Sequence, residues 1–236
     1  MLTRIFLLCL LMTTCAVFTS AQEERAVSFD DSALPRTANA IEKFLPSGWT
    51  VEEQVSGDLN NDSVPDTALK LIEKPAANVD QDNPASRARV LMILFVNRQG
   101  IFERAATAKN LLQCTGCGGA FYGVMEAPAD VAIAKGVLIV KQDHGSRNVT
   151  ETTYRFRYNP GVKKFALIGY DMSDRDRVTG ETTSESINYL TGVKVTEIFQ
   201  YSKKLDKDVK KSNRRIKINK SPQYLEEINY ETLDND

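Results

Sequence analysis

Histidine and cysteine are scarce in this chain. The 236 residues include a single histidine, His144, and four cysteines. Two of the cysteines lie within the first 15 residues, which leaves Cys114 and Cys117 for the rest of the chain. A zinc site would need two ligands beyond this pair, and a haem attachment would need a histidine where Gly118 follows Cys117. These shortages argue against both kinds of site.

Long apolar runs are also lacking, apart from one at the N-terminus. Arg4 is followed by an apolar stretch from Ile5 to Phe18 and by the small-residue cleavage pattern Thr19-Ser20-Ala21. The stretch is too short for a spanning helix and predicts a signal peptide, residues 1–21, that is removed after Ala21. A retained anchor and lipidation at Cys15 are the alternatives. We therefore expect a periplasmic or secreted protein whose mature chain has no transmembrane segment.

Neither sign of charge predominates in the composition. The chain has 30 Lys and Arg against 31 Asp and Glu, which gives a formal net charge of −1. This balance gives no reason to expect nucleic acid as a partner. The length that follows the signal peptide suits one domain or two small ones, and we expect a single β-rich domain over residues 22–236. Within it we expect an N-terminal helix and lead-in at residues 22–48, and a basic segment with an acidic tail at residues 203–236.

Strand signatures dominate the chain after residue 48. Before them, a helical stripe of Leu34, Ile41, Phe44 and Leu45 predicts one short N-terminal helix. The later runs are rich in β-branched and aromatic residues and are separated by tight-turn sequences. This pattern predicts a mainly β fold, an antiparallel meander that forms blade-like sheets or a sandwich. The predicted strands are Trp49–Val55, Thr67–Ile72, Ala88–Asn97, Ile101–Thr107, Val131–Ile133, Val137–Asp143, Thr150–Tyr158, Lys164–Met172, Ser184–Leu190, Val193–Tyr201 and Arg214–Ile218.

One polar stretch, "SGDLNNDSVPDTAL", carries oxygen-bearing side chains at alternate positions. Counted from Asp58, side-chain oxygens fall at positions one, three, five and nine, and a backbone carbonyl is available at position seven. A tight loop with this spacing can surround a calcium ion, which prefers oxygen ligands. Three carboxylates this close repel one another unless a cation lies among them. The pattern predicts a Ca²⁺ site made by Asp58, Asn60, Asp62, the Val64 carbonyl and Asp66, with a simple polar turn as the alternative.

The same stretch resembles the calcium loops of FG-GAP and VCBS-like repeats, which occur in integrin-type propellers and in related secreted bacterial proteins of unassigned activity. Those loops follow the pattern D-x-D/N-x-D-G-x-x-D-L ahead of a strand. Here "DLNNDSVPDTAL" departs from it at position six, where Ser63 replaces a glycine that suits positive φ. The resemblance implies a β fold and a bound calcium ion, but no substrate. The chain is too short for a full seven-bladed ring.

Cys114 and Cys117 stand three positions apart in "QCTGCGGAFYG". In an exported protein this spacing predicts a local disulfide. Thioredoxin-like exchange uses the same spacing but needs a helix after the motif, and Gly118, Gly119 and Gly123 argue against one. Redox and metal-binding roles remain the alternatives.

The single histidine lies in "KQDHGSRN", beside Asp143 and Ser146. A base oriented by a carboxylate can activate a hydroxyl group, so Asp143 and His144 are the candidate catalytic pair of a hydrolase. Such groups are normally assembled from distant parts of the chain, and Ser146 lacks the strand–turn–helix setting of a nucleophile. A hairpin turn with local hydrogen bonds is the alternative.

The segment Lys203–Lys220 carries nine Lys or Arg against two Asp, and an acidic tail follows it. The lysines of an edge hairpin protect it from aggregation, and this explains the segment without a partner. A surface for anionic lipids or an acidic protein is the alternative.

Three functions are compatible with these features. The first is an exported, calcium-stabilised binding or structural protein of the bacterial envelope, with an envelope protein or glycan as its partner. The second is an envelope hydrolase that uses Asp143 and His144. The third is a periplasmic inhibitor or immunity protein. We favour the first because it requires no catalytic group.

Overall fold

The sequence folds into two antiparallel sheets that share an apolar core. The computed structural model describes residues 29–75, 86–219 and 221–233. The first sheet has the strand order β1-β5-β4-β3-β2. Its strands are β1 (Thr37–Ala38), β2 (Trp49–Gly57), β3 (Asp66–Glu73), β4 (Arg89–Val96) and β5 (Phe102–Ala108).

The second sheet is a seven-stranded meander with the order β12-β11-β10-β9-β8-β7-β6. A 3-10 helix, Leu225–Glu227, and a one-turn helix α1, Tyr230–Leu233, follow its last strand. Residues with positive φ lie in its hairpins, among them Gly136, Gly180 and Gly192, as tight connections require. The strands are β6 (Ala129–Ala134), β7 (Val137–Gly145), β8 (Asn148–Asn159), β9 (Lys164–Asp176), β10 (Glu181–Asn188), β11 (Val193–Ser202) and β12 (Lys207–Lys217).

The predicted mainly β meander is confirmed, and a strand is present at each of the eleven predicted positions. Two features of the strands were not predicted, nor were the two short C-terminal helices. β1 is a two-residue strand that pairs with β5, and β12 begins at Lys207 rather than at Arg214. Both lack the apolar alternation by which strands are recognised, so only their pairing with a neighbouring strand defines them.

The two central strands of the first sheet, β3 and β4, are buried on both faces. Leu91 and Ile93 of β4 face the core that is shared with the second sheet. Met92 and Leu94, on the other face, pack with Trp49 beneath the N-terminal segment. Successive strand residues point to opposite faces, so burying both faces requires a continuous apolar run. This explains the sequence "RVLMILFV" of β4.

The second sheet buries only one face. On β8, Tyr154 and Phe156 are fully buried towards the first sheet, whereas Arg155 and Arg157 point away from it. Such alternation is typical of an antiparallel sheet with one solvated face. β10 to β12 extend beyond the core, and β12 is exposed along nearly its whole length.

The helical part of the N-terminal segment is a single 3-10 turn, Ile41–Phe44, shorter than the apolar stripe suggests. Residues 37 and 38 are extended because they pair with β5 as the edge strand β1. The stripe is nevertheless buried as its periodicity indicates: Phe44 has no exposed surface, and Leu34 packs against the same cluster. The first turn of a helix is unfavourable to form, so a short helix competes poorly with pairing of the same residues to the edge of a sheet.

The predicted signal peptide, residues 1–21, lies outside the described residues. Within the parts of the chain that are described, no helix has the length and apolar character needed to cross a bilayer.

Candidate functional site

Residues 58–66 form a tight loop between β2 and β3, and Asp58 organises its first half. One oxygen of Asp58, Oδ1, accepts the backbone N–H of Asn61 at 2.6 Å, and the other, Oδ2, accepts that of Ser63 at 2.9 Å. Asn61 and Ser63 have φ values of 66° and 68°. The positive φ expected at position six of the loop is therefore present at Ser63 without glycine. A negative group that receives several amides offsets the strain of such a turn.

Asn60 and Asp62 continue the same arrangement. Asn60 Oδ1 accepts the backbone N–H of Asp62 at 2.9 Å, and Asp62 Oδ1 accepts that of Val64 at 2.8 Å. The side-chain amide of Asn60 also donates to Asp62 Oδ2 at 3.1 Å. The side chains predicted to surround a cation are therefore already fixed in orientation by the loop backbone.

Asp66 lies beneath the loop and is completely buried. Its Oδ2 accepts the backbone N–H groups of Leu59 at 2.8 Å and Asn60 at 3.3 Å, and its Oδ1 accepts that of Val96 at 3.1 Å. Burial, together with the charge of Asp62, raises the pKa of Asp66, although the three amides oppose the shift. Asp66 thus ties the loop to the end of β4 and holds it against the first sheet.

The chemistry of the loop suits a hard cation such as calcium, because carboxylate, amide and carbonyl oxygens are its preferred ligands. Asp58 Oδ1 accepts two backbone N–H groups, but Asp58 Oδ2 and both oxygens of Asp62 accept one N–H each and keep a second lone pair for a metal ion. In the described ranges of the chain, however, no three His, Cys, Asp or Glu side chains lie close enough together to hold a metal. The fit therefore depends on Asp58 and Asp62 combined with the neutral oxygens of Asn60 and Val64, above the buried Asp66.

The hairpin between β6 and β7 packs on one side of this loop. A Cβ atom on Gly57 would lie 2.5 Å from Ile133 Cγ2, so the close approach requires glycine. A depression of about 330 Å³ opens between the loop and the hairpin and is lined by Asp58 and Lys135, among others. The carboxylate of Asp58 is therefore reached from solvent.

Cys114 and Cys117 form the predicted disulfide, with Cα atoms 5.1 Å apart. The Ser86 hydroxyl donates to the sulfur of Cys114 at 2.7 Å, and the Tyr230 hydroxyl donates to that of Cys117 at 3.3 Å. Turns rather than a helix follow the motif, as its glycines predict. The bond therefore closes a turn within the long connection between β5 and β6.

The candidate catalytic pair is not assembled. Asp143 and His144 are consecutive in β7, so their side chains point to opposite faces of the sheet. Asp143 lies opposite Glu151 and accepts a hydrogen bond from the Tyr122 hydroxyl at 3.4 Å, whereas His144 lies opposite Thr150. Within the described residues, no hydrogen bond joins Asp143 to His144. Burial raises the pKa of Asp143, but the geometry lacks an oriented base.

A buried cation that the sequence does not reveal joins the two sheets. Arg89 on β4 is 3% exposed and forms a bidentate pair with Glu52, at 2.8 and 3.2 Å to Oε1 and at 2.8 Å to Oε2. It also donates to the Ala127 carbonyl at 2.8 Å, just before β6. Glu52 is the extra residue of a β-bulge between Val51 and Glu53, which aims its side chain at the arginine. The partners are 37 positions apart, and no local pattern marks them as a pair.

The basic segment forms the outer edge of the second sheet. Some of its charges are paired, as in Lys210–Glu197 at 2.6 Å and Arg175–Asp208 at 3.2 Å. β12 pairs with β11 on one side only, so its charged side chains lie along an edge strand. This position is consistent with protection of an edge against aggregation.

Comparison of the chain with protein-family models, with characterised proteins and with solved structures gave no match.

Proposed function

We propose that this chain is an exported, calcium-stabilised β-rich binding protein of the bacterial envelope, periplasmic or secreted, with an envelope protein or glycan as its ligand. The N-terminal sequence supports export, because its apolar stretch and small-residue end are those of a signal peptide. The two sheets supply a rigid scaffold, and the second sheet leaves a broad polar face towards solvent. The proposal requires no catalytic group.

The observation that carries the calcium part is the orientation of oxygen side chains in the loop at residues 58–66. Asp58 and Asp62 are held by backbone amides on the solvent side of the loop, while Asp66 anchors the loop from below. A cation that binds Asp58, Asn60, Asp62 and the Val64 carbonyl, above the predicted ligand Asp66, would relieve the repulsion among the carboxylates. It would act as a structural ion that pins the connection between β2 and β3.

The test is the thermal unfolding midpoint of the oxidised protein, measured with calcium and with chelator. A ligand at a hundred times its dissociation constant stabilises the folded state by about 2.7 kcal/mol, which raises the midpoint of a chain of this size by about 5–10 °C. We expect this rise in the wild type, and we expect Asp58→Asn and Asp62→Asn to abolish it.

Asp130→Asn is the matched control, because it removes one carboxylate from an exposed position of β6. This variant should keep the full response to calcium. A wild-type midpoint that does not move at millimolar calcium would refute the calcium part of the proposal, as would an equal rise in the two loop variants.

A further inference from the structure

Exposed large apolar side chains are concentrated at one end of the second sheet, because the loop at residues 118–125 adds three to those of the sheet itself. Because the sheet is a meander, its alternate hairpins, residues 145–148, 177–180 and 203–206, emerge on the same side. The loop at residues 118–125 joins them there: the Phe121 N–H donates to the Gly145 carbonyl at 2.9 Å. We call this group of four loops the apolar end. Its exposed apolar side chains are Phe121, Val124, Met125, Val178 and Leu205, together with Tyr201 beside them at the end of β11.

These side chains project strongly. Val124 and Val178 are 78% and 77% exposed, and Met125 is 64% exposed. Scattered single apolar residues on a surface are ordinary, but a group of six at one end indicates an interaction site. At the opposite end of the sheet, in contrast, the exposed large apolar residues in the described ranges are Val162 and Leu190 of the hairpins and Ile216 near the end of β12.

Basic side chains are interleaved with the apolar ones. The guanidinium of Arg177 lies 4.9 Å from the centre of the Phe121 ring, next to Val178 in the chain. Lys203 and Lys204 are exposed and directly precede Leu205. The four loops contain four basic residues, Arg147, Arg177, Lys203 and Lys204, against one acidic residue, Asp206, which accepts a hydrogen bond from the Tyr201 hydroxyl. Asp176, at the adjoining end of β9, pairs with Arg147 at 2.6 Å. The charge left facing outward is therefore positive.

We infer that the apolar end docks on the surface of a bilayer that contains anionic phospholipids. Separate loop tips with projecting apolar side chains fit a fluid interface, which needs no matching cavities. Arginine and lysine at the same level can bind the phosphate groups. The disulfide and the backbone bonds among the loops hold the tips together before docking. This inference goes beyond the proposed binding role by naming a lipid surface as the partner, and it does not involve the loop at residues 58–66.

Cosedimentation with vesicles tests the inference. The protein is produced from the full chain, its N-terminus is determined by mass spectrometry, and it is mixed with vesicles of phosphatidylcholine alone or with an equal part of phosphatidylglycerol. We expect binding to the anionic vesicles only, with loss at high salt because exposed charges are screened. The double variant Val124→Asp with Met125→Asp should bind at least about tenfold more weakly, since both side chains would leave the interface.

The double variant Val162→Asp with Leu190→Asp, at the opposite hairpins, is the matched control and should bind like the wild type. The chain has a single tryptophan, Trp49, which is buried, so Val178→Trp places a fluorescent probe at the apolar end. Its emission should shift to the blue with anionic vesicles.

Three results would overturn the inference. Absence of binding to both kinds of vesicle would indicate that the apolar end contacts a protein partner and not a membrane. Equal binding by the Val124 and Met125 variant would place the contact elsewhere, for example in a retained N-terminal apolar segment. Equal losses of vesicle binding in both double variants would show that binding does not depend on the apolar end. The calcium proposal is tested by adding calcium to the loop variants Asp58→Asn and Asp62→Asn, whereas the membrane inference is tested with vesicles and other variants. Failure of one proposal can therefore be told apart from failure of the other.

Discussion

Asp66 illustrates at the residue scale how much a single buried carboxylate can organise. It is fully buried and accepts three backbone N–H groups, two from the loop and one from the end of β4. Its place in the oxygen pattern is visible in the sequence, but its burial is not, because burial depends on the packing of β4 against β3. Sequence spacing thus identifies the candidate ligands, whereas only the fold separates Asp66, as an anchor, from the solvent-facing Asp58 and Asp62.

The variant Asp66→Asn should therefore destabilise the protein even without calcium. An asparagine has one acceptor oxygen, and its NH₂ group would face a backbone donor, which costs about 1–3 kcal/mol. Burial, together with the charge of Asp62, raises the pKa of the native carboxyl above its usual 3.8. The folded state then holds the proton more tightly than the unfolded chain does. The contribution of this proton to the free energy of unfolding is greatest below the pKa of Asp66 in the unfolded chain. It is lost as the pH rises through the pKa of Asp66 in the folded protein.

Urea unfolding of both proteins in chelator, from about pH 7 down to about pH 4, measures this contribution. The wild type should gain stability relative to the variant as the pH falls. A difference that stays constant or narrows on acidification would contradict the burial of an ionisable Asp66.

At the scale of single elements, the pattern of apolar and polar residues along each strand indicates how many of its faces are buried. After Arg89, β4 is an uninterrupted apolar run that is buried on both faces. In β8, buried and more exposed residues alternate, and one face of the strand is in contact with solvent. These features could be predicted from the sequence because they depend on periodicity alone. The bulge at Glu52 and its pair with Arg89 could not, since they result from the meeting of strands distant in the chain.

Alanine substitutions on consecutive residues test this difference between strands. Met92→Ala and Ile93→Ala lie on opposite faces of β4, and each should cost about 2–5 kcal/mol because both side chains are fully buried. On β8, Phe156→Ala should cost about 3–5 kcal/mol, whereas its neighbour Arg157→Ala should change the free energy of unfolding by less than about 0.5 kcal/mol. Chemical denaturation of the four variants gives these values. A small cost at Met92 would show that the N-terminal segment does not cover the first sheet.

At the scale of the whole molecule, burial is distributed unevenly between the two ends of the meander. The first sheet and β6 to β9 surround the shared core, whereas β10 to β12 are held mainly by their backbone pairing. Regions with few buried apolar contacts open locally at lower free energy than the core does. The strands that carry the basic segment are therefore expected to be the least protected part of the second sheet.

Amide hydrogen exchange followed by mass spectrometry measures this gradient. Amides of β3 and β4 should exchange slowest, those of β7 and β8 at intermediate rates, and those of β11 and β12 fastest among the strands. Equal protection across the second sheet would contradict the expectation and would indicate that β10 to β12 are covered in solution.

The central claim concerns the loop at residues 58–66, and direct calcium binding tests it most simply. Isothermal titration of calcium into the metal-free protein should give one saturable site per chain in the wild type. It should give none in Asp58→Asn, while Asp130→Asn should bind like the wild type. Absence of binding in the wild type, or unchanged binding in Asp58→Asn, would show that the loop is a polar turn held by its own backbone amides.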